Sequence, residues 1–394
     1  MIYNYLKNLG DRRNGFFISM FICLSVFSFI ILALEVFLGI RLNLFFPNDR
    51  FADFFKTIDG LQLAEVWQTE TIYDLGLTVN YFPPLLVFLY FLFAKILVYT
   101  EIHKIFVYAF YIFIPLTIFF YSLKNFVSAY IQILLILVSF PILYVVERGN
   151  PALWVVAFIF LSYRFKENIF LASFFLSIAV SLKITPIIFF LLICSKNPKR
   201  AAFQTIFFVF CLFSLNYFAV NILSLSNSNY NPYNFFSSLK IYENLYINKL
   251  GGLNYGASLF MPIYFLLIKL NCLFIQKINP YIISMIMCFI TFVWSSKSYF
   301  IKYIISLNWI RIDILSIVFI LFTPVTGIYY LLLMLGSLLI RFNTLGKNEL
   351  FCYFILMSPK VILFSGIELG AFINPLVLLI LLNTTIHKDI FDYR

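Results

Sequence analysis

Asp49 and Asp53 stand four residues apart in a polar stretch between the first two long apolar runs of the chain. On a helical turn that spacing puts both carboxylates on one face. A carboxylate at a membrane surface can take the proton from a hydroxyl, which is the work of a general base. The stretch runs from Asn48 to Tyr81 and holds six of the chain's 17 acidic residues. The other four, Asp59, Glu65, Glu70 and Asp74, read as ordinary solvated loop acids. Asp53 differs in its aromatic setting, Phe51-Ala-Asp-Phe-Phe55. It is the first candidate for a base, and Asp49 is the reserve.

Three further places combine polar chemistry with an apolar setting. Asn80-Tyr-Phe-Pro-Pro-Leu85 opens an apolar run. A helix start accommodates its prolines, since the first turn needs no N–H donors. That leaves Asn80 and Tyr81 to line a site above the helix. Glu147-Arg-Gly-Asn150, followed by Pro151, is a charged turn between two short apolar stretches. It reads either as a re-entrant corner pointing into a cavity or as a self-neutralising pair with Asn150 capping the next helix. Lys183, in Ser181-Leu-Lys-Ile-Thr-Pro186, has no acidic neighbour in sequence. It reads as a phosphate-binding cation or as a snorkelling lysine. An ionisable group at helix depth is a functional candidate because desolvating it costs several kcal/mol.

The elements that must position these residues are set by composition. Hydrophobic residues make up 63% and charged residues 11% of 394 positions. A soluble core of this size does not need that much apolar surface. Apolar runs recur along the whole length, and the short alternating segments of a membrane β-barrel are absent. The expectation is an all-α polytopic integral membrane protein, one transmembrane domain over 1–394, with about 10–12 crossings. Phe16 to Ile40 reads as a retained first helix rather than a cleaved signal. It follows Lys7, Arg12 and Arg13, so it runs outward and leaves an acidic first external loop at about 41–80.

Next come Tyr81–Tyr99, Ile105–Tyr121, Ala129–Val146, Pro151–Tyr163, Ile169–Leu182 and Ile184–Ser195. Counting forward from the first helix and backward from Lys196–Arg200 gives opposite sides for that loop. One of these stretches therefore does not cross, or two merge. Ala202–Val220 returns outward to a second external loop at about 221–257. Leu259–Ile275 reads as a helix along the outer surface. Tyr281–Trp294, Ile312–Phe322, Ile328–Ile340, Tyr353–Phe364 and Leu369–Leu382 complete the set.

The net charge of +11 belongs to cytoplasmic loops rather than to nucleic-acid binding. Arg164 with Lys166, Lys196 to Arg200, Lys297 with Lys302, and Arg341 with Lys347 form those clusters. The six cysteines lack disulfide or metal spacing. His103 and His387 are far apart, so no metal and no cofactor are expected.

The four motifs, in this order, resemble the polyprenyl-phosphate-dependent mannosyltransferases of glycosyltransferase family 87, within the GT-C superfamily. The residues that carry the resemblance are Asp53, Tyr81-Phe-Pro-Pro-Leu85, Arg148-Gly-Asn150 and Lys183-Ile-Thr-Pro186. Asn254-Tyr-Gly-Ala-Ser-Leu259 and Thr323-Pro-Val-Thr-Gly327 follow them. The chain departs from the family pattern in three places. Glu147-Arg148 stand where a glutamine corner is usual. Gly327, Ile328, Tyr329 and Tyr330 replace a late tryptophan and histidines. The Asn254 segment carries one extra residue.

The resemblance implies a GT-C-like fold and a plasma-membrane enzyme whose active site faces the exterior or periplasm. It implies transfer of a mannose-like hexose from a polyprenyl-phosphate donor to a cell-envelope glycan or glycolipid, with inversion. Asp53 or Asp49 would be the base, and Lys183 and Arg148 would hold the donor phosphate. Asn80, Tyr81, Glu147, Asn150, Asn254, Ser258, Tyr329 and Tyr330 would bind substrate. The lack of a nucleotide-binding glycine loop agrees with a lipid donor. The competing classes are a lipid-linked glycan flippase or transporter and a polysaccharide repeat-unit polymerase. A polymerase would place its dominant external loop late, whereas the acidic loop here comes first, and the loop at about 221–257 keeps that class open; a transporter would show charged residues inside several helices.

Overall fold

The computed structural model describes 83–96, 101–124, 139–226, 243–250, 256–272, 278–296, 310–358 and 367–391 as stretches, and Val26, Asp53, Phe54, Leu253, Tyr299, Tyr303, Leu363 and Phe364 singly or in pairs. Asp49, Asn80, Tyr81 and Asn254 lie outside the described residues, as do the expected first helix, apart from Val26, and most of both external loops.

Among the described residues the chain is helical, apart from a two-residue hairpin, Leu363–Phe364 with Ile367–Glu368. Three helices are long and apolar enough to cross a membrane, over Phe106–Leu123, Pro198–Ser226 and Gly370–Ile390. The longest, at 29 residues, spans about 43 Å at 1.5 Å per residue, against about 30 Å of bilayer core.

We number the helices in order. α1 (Pro84–Ile96) begins at the two prolines. The N–H that Pro84 lacks falls in the first turn, and Leu86 and Val87 donate to the Pro83 carbonyl at 2.9 and 3.1 Å. α2 (Glu101–Leu123) exposes Phe106, Phe110 and Phe113 at helical spacing. That stripe is a lipid-facing surface.

α3 (Phe140–Arg148) follows an extended Ser139 and stops at Gly149, whose φ of 66° lies in the left-handed region that glycine enters without penalty. α4 (Ala152–Arg164) buries nearly every side chain. A helix apolar all round belongs in the middle of a bundle. It packs against α2 and against α5 (Ile169–Leu182). The Asn168 side chain caps α5 by accepting from the N–H groups of Phe170 and Leu171 at 3.2 and 3.1 Å. Ser162 Oγ donates to the Ala172 carbonyl at 2.7 Å and ties α4 to α5.

The expected pair Ile169–Leu182 and Ile184–Ser195 forms a broken path. α5 ends at Lys183, which is extended, and a 3-10 turn (Thr185–Phe189) and one α-turn (Phe190–Ile193) follow. Pro186 explains the break, since the residue before a proline resists continuing a helix. α6 (Pro198–Ser226) begins inside the Lys196–Arg200 cluster and outruns the expected Ala202–Val220 at both ends.

The rest comprises α7 (Phe260–Lys269), α8 (Pro280–Ser296), α9 (Ile312–Phe322), α10 (Leu332–Arg341), α11 (Lys347–Met357) and α12 (Gly370–Phe391). α7 stops six residues short of the expected Ile275. α9 is buried at all eleven positions and lies against α8, α10 and α12. Gly336 of α10 meets the Phe160 ring of α4 so closely that any Cβ would overlap it. Lipid tails give little hydrophobic drive for helices to associate, so close approach at small residues matters more here than burial itself.

Candidate functional site

The Glu147–Asn150 corner is built by its glycine. A Cβ on Gly149 would sit 2.6 Å from the Phe54 Cβ and 3.1 Å from the Tyr108 ring. Only the absence of a side chain lets the Asp53-Phe54 segment lie against the end of α3. Phe54 is fully buried. Its ring packs at centroid distances of 4.5 Å from Tyr111, 5.3 Å from Tyr108 and 6.1 Å from Tyr90 and Phe93. Tyr90 and Tyr111 share a hydroxyl hydrogen bond at 3.2 Å beneath it. This aromatic socket anchors the residue beside Asp53 and so fixes where the carboxylate stands.

Arg148 Nη2 donates to Asp53 Oδ1 at 2.8 Å, and Arg148 Nε donates to Oδ2 at 3.3 Å. This is the two-pronged guanidinium–carboxylate geometry. Asn150 Nδ2 donates to Oδ2 at 2.7 Å. The Asn150 Oδ1 accepts from the Ala152 N–H at 2.9 Å, so the residue caps α4 and holds Asp53 at once. Both readings of Asn150, cap and site residue, describe one side chain. The Asp53 side chain keeps 23% exposure, enough for a hydroxyl to reach it.

Lys183 approaches from the break after α5. Its ammonium lies 4.7 Å from the ring centre of Tyr330 and 5.4 Å from that of Tyr329. Cations seek such ring faces. The Asp53 carboxylate acts electrostatically on Lys183 and on Tyr329. Lys183 is partly buried, and among the described residues its ammonium makes neither an ion pair nor a hydrogen bond. A desolvated ammonium is costly unless an anion or solvent meets its donors.

Tyr329 and Tyr330 belong to a 3-10 turn, Ile328–Leu331, that packs against α3. The segment before this turn is held by residues 256–259. Gly256 bridges Gly327. Ala257 N donates to the Thr326 carbonyl at 2.7 Å, and Leu259 N to that of Leu321 at 2.9 Å. The described parts of the two late motifs therefore meet through an isolated bridge and flanking backbone hydrogen bonds. Ser258, expected to touch substrate, is 1% exposed and donates to the Pro324 carbonyl at 3.0 Å. It is a packing residue of this junction. Glu147 sits in the last turn of α3 and acts electrostatically on Tyr108.

Asp53, Arg148, Asn150, Lys183, Tyr329 and Tyr330 are thus gathered from four separate parts of the chain. Sequence reasoning passed over Tyr144 and Tyr246, which also act electrostatically on Tyr329. Among 26 tyrosines neither has a local signal. Tyr246 lies in a π-turn, Asn244–Asn248, so part of the stretch expected as the second external loop comes within electrostatic reach of Tyr329.

A second charged cluster was also passed over. Asp313, 1% exposed inside α9, binds Arg311 at 2.7 Å and also pairs with Arg341 of α10. Arg311 reaches Asp389 of α12, which accepts from Tyr303 at 3.2 Å. Arg341 and Lys388 lie 3.7 and 3.5 Å from Glu349 of α11. Burial works against the Arg311 charge, but Asp313 and Asp389 together outweigh it and hold its pKa above the ordinary value. Three cations and three carboxylates join the ends of four helices. An acid inside an apolar run, Asp313 in Ile312–Phe322, was the available signal.

Among the described residues no group of three metal-ligating side chains occurs. No family model, curated protein or solved structure matches this chain.

Proposed function

We propose that the chain is a polyprenyl-phosphate-dependent hexosyltransferase of GT-C type, with about 10–12 membrane crossings. It would move a mannose-like sugar onto a cell-envelope glycan or glycolipid at the outer face of the plasma membrane. The observation that supports this reading is an Asp53 carboxylate held by Arg148 and Asn150 within electrostatic reach of the Lys183 ammonium. A carboxylate base and a cation in one neighbourhood are what an inverting displacement on a sugar phosphate requires.

In that reaction Asp53 takes the proton of the acceptor hydroxyl. The acceptor oxygen bonds to the anomeric carbon from the face opposite the donor phosphate. The bond from that carbon to the phosphate oxygen breaks, and the lipid phosphate leaves with the electron pair. Lys183 meets the charge that develops on it. Arg148, first expected on the phosphate, is engaged with Asp53, so Lys183 is the main phosphate ligand in this account. Tyr329 and Tyr330 back the ammonium and border the sugar. Asp49 stays the reserve base.

One observation favours a second reading, a lipid-linked glycan transporter. Asp313, Glu349 and Asp389 are charges buried within helices, and membrane interiors hold such groups where ions or polar cargo move. Purified protein in liposomes separates the two. A transferase converts polyprenyl-phosphate mannose and an alkyl hexoside to product. A transporter moves labelled polyprenyl-phosphate mannose between leaflets and forms no new glycosidic bond.

A further inference from the structure

The carboxylate of Asp53 is aimed by Asn150, and the aim of Asn150 is itself fixed. Its Oδ1 is committed to the Ala152 N–H at 2.9 Å. An amide has its donor group opposite its oxygen, so Nδ2 must face away from α4 and toward Asp53 Oδ2, which it meets at 2.7 Å. This bond network also assigns the amide orientation, with no flip compatible with both contacts. The backbone supplies the other constraint. The left-handed Gly149 turns the chain so that Arg148 ends one helix and Asn150 opens the next. Both residues then face one carboxylate from sites two positions apart.

We infer that Asn150 is a positioning residue that fixes the plane in which the Asp53 carboxylate meets the acceptor, with Arg148 bridging both oxygens of the same carboxylate. This deepens the transfer reading and rests on it for the word acceptor. The geometry of Asp53 stands without it. Asn150, first counted as a substrate ligand, acts through Asp53. With Oδ2 held by Asn150 and by Arg148 Nε, and Oδ1 by Arg148 Nη2, the plane of the carboxylate is set by three contacts. A misaimed base costs rate even when substrate still binds.

The charged and titratable groups acting on this carboxylate come from several elements. Among the described residues they include Arg148 from α3, Lys183 beyond α5, Tyr90 from α1, Tyr108 and Tyr111 from α2, and Tyr329 from the late 3-10 turn. The variants below change none of these residues.

The test uses the full-length protein in detergent or liposomes and two variants, Asn150→Ala and Asn150→Asp. An experimental structure of each variant reads the orientation of the Asp53 carboxylate relative to the Arg148 guanidinium. In Asn150→Ala the carboxylate loses its Nδ2 donor and its plane turns on the Arg148 contact. In Asn150→Asp a second carboxylate at contact distance drives it further from position 150. Transfer from short-chain polyprenyl-phosphate mannose to an alkyl hexoside gives the second readout. Asn150→Ala lowers kcat by about 10- to 100-fold, while KM for the donor stays within about twofold. An Asp53 carboxylate that keeps its wild-type orientation in both variants overturns the inference. So does an unchanged kcat in Asn150→Ala with active wild type. A wild type that transfers nothing overturns the transfer reading alone, because the variant structures still decide the geometry.

Discussion

Gly149 and Phe54 are in contact across 95 residues of sequence, so close that a Cβ on Gly149 would sit 2.6 Å from the Phe54 Cβ. That approach brings the first polar loop onto the end of α3, and the Asp53–Arg148 pair depends on it.

Gly149→Ala should therefore damage fold and site together. The left-handed backbone alone costs an L residue about 1–2 kcal/mol, and the overlap with Phe54 adds to it. The thermal midpoint should fall, and the Asp53–Arg148 distance in a structure of the variant should lengthen. A variant with wild-type stability and an intact ion pair would show that the loop does not need this contact.

Lys183→Met should separate function from stability. The ammonium lies over two tyrosine rings without a hydrogen bond or ion pair among the described residues. Removing an incompletely satisfied cation should leave the thermal midpoint unchanged or raise it. Transfer should fall by about 100- to 1,000-fold, as when an electrostatic stabiliser of the transition state is deleted. Full turnover in Lys183→Met would reduce Lys183 to a snorkelling side chain.

Arg148→Lys and Arg148→Met should differ in kind. Lysine keeps the charge beside Asp53 but loses the two-pronged geometry of 2.8 and 3.3 Å contacts. Methionine leaves the Asp53 carboxylate without its ion-pair partner at the site. Removing one member of a buried pair costs roughly 3–5 kcal/mol, with the lower end apt here because Asp53 is partly exposed. Denaturation should rank wild type above Arg148→Lys, and Arg148→Lys above Arg148→Met. Equal stability for all three would mean that solvent already screens the pair.

Much of this arrangement was legible in the sequence, and the reasons differ by part. Lys183 and Asp53 declared themselves because charged side chains stand out against apolar runs. The break at Lys183 was legible in Pro186, and the start of α1 in Pro83 and Pro84. Arg148 and Asn150 were legible as a corner. Their partner was not, because pairing across 95 residues depends on the path of the chain. Ser258 misled, since a motif position says nothing of where a hydroxyl points. The Arg311–Asp313–Asp389 cluster escaped because Arg341 was read as loop charge and Arg311 and Lys388 were not weighed. Three carboxylates on α9, α11 and α12 in fact meet them.

That cluster gives a prediction that also weighs the two functional readings. Asp313→Leu removes the carboxylate that Arg311 and Arg341 share, leaving Arg311 to Asp389 and Arg341 to Glu349. Losing one member of so buried a network should cost about 3–5 kcal/mol. In the transferase account the cluster is structural, so turnover per folded molecule should survive. Lost lipid movement in liposomes, with no glycosidic product from wild type, would favour the transporter.

The most direct test of the central claim compares purified wild type with Asp53→Asn in liposomes carrying labelled polyprenyl-phosphate mannose and an alkyl hexoside. The account predicts product of inverted configuration from wild type. It predicts loss of transfer by a factor of at least about 1,000 in Asp53→Asn, combining a lost base with a lost orientation, in protein that is folded and membrane-inserted. Wild-type turnover by Asp53→Asn would contradict it and move the role of base to Asp49.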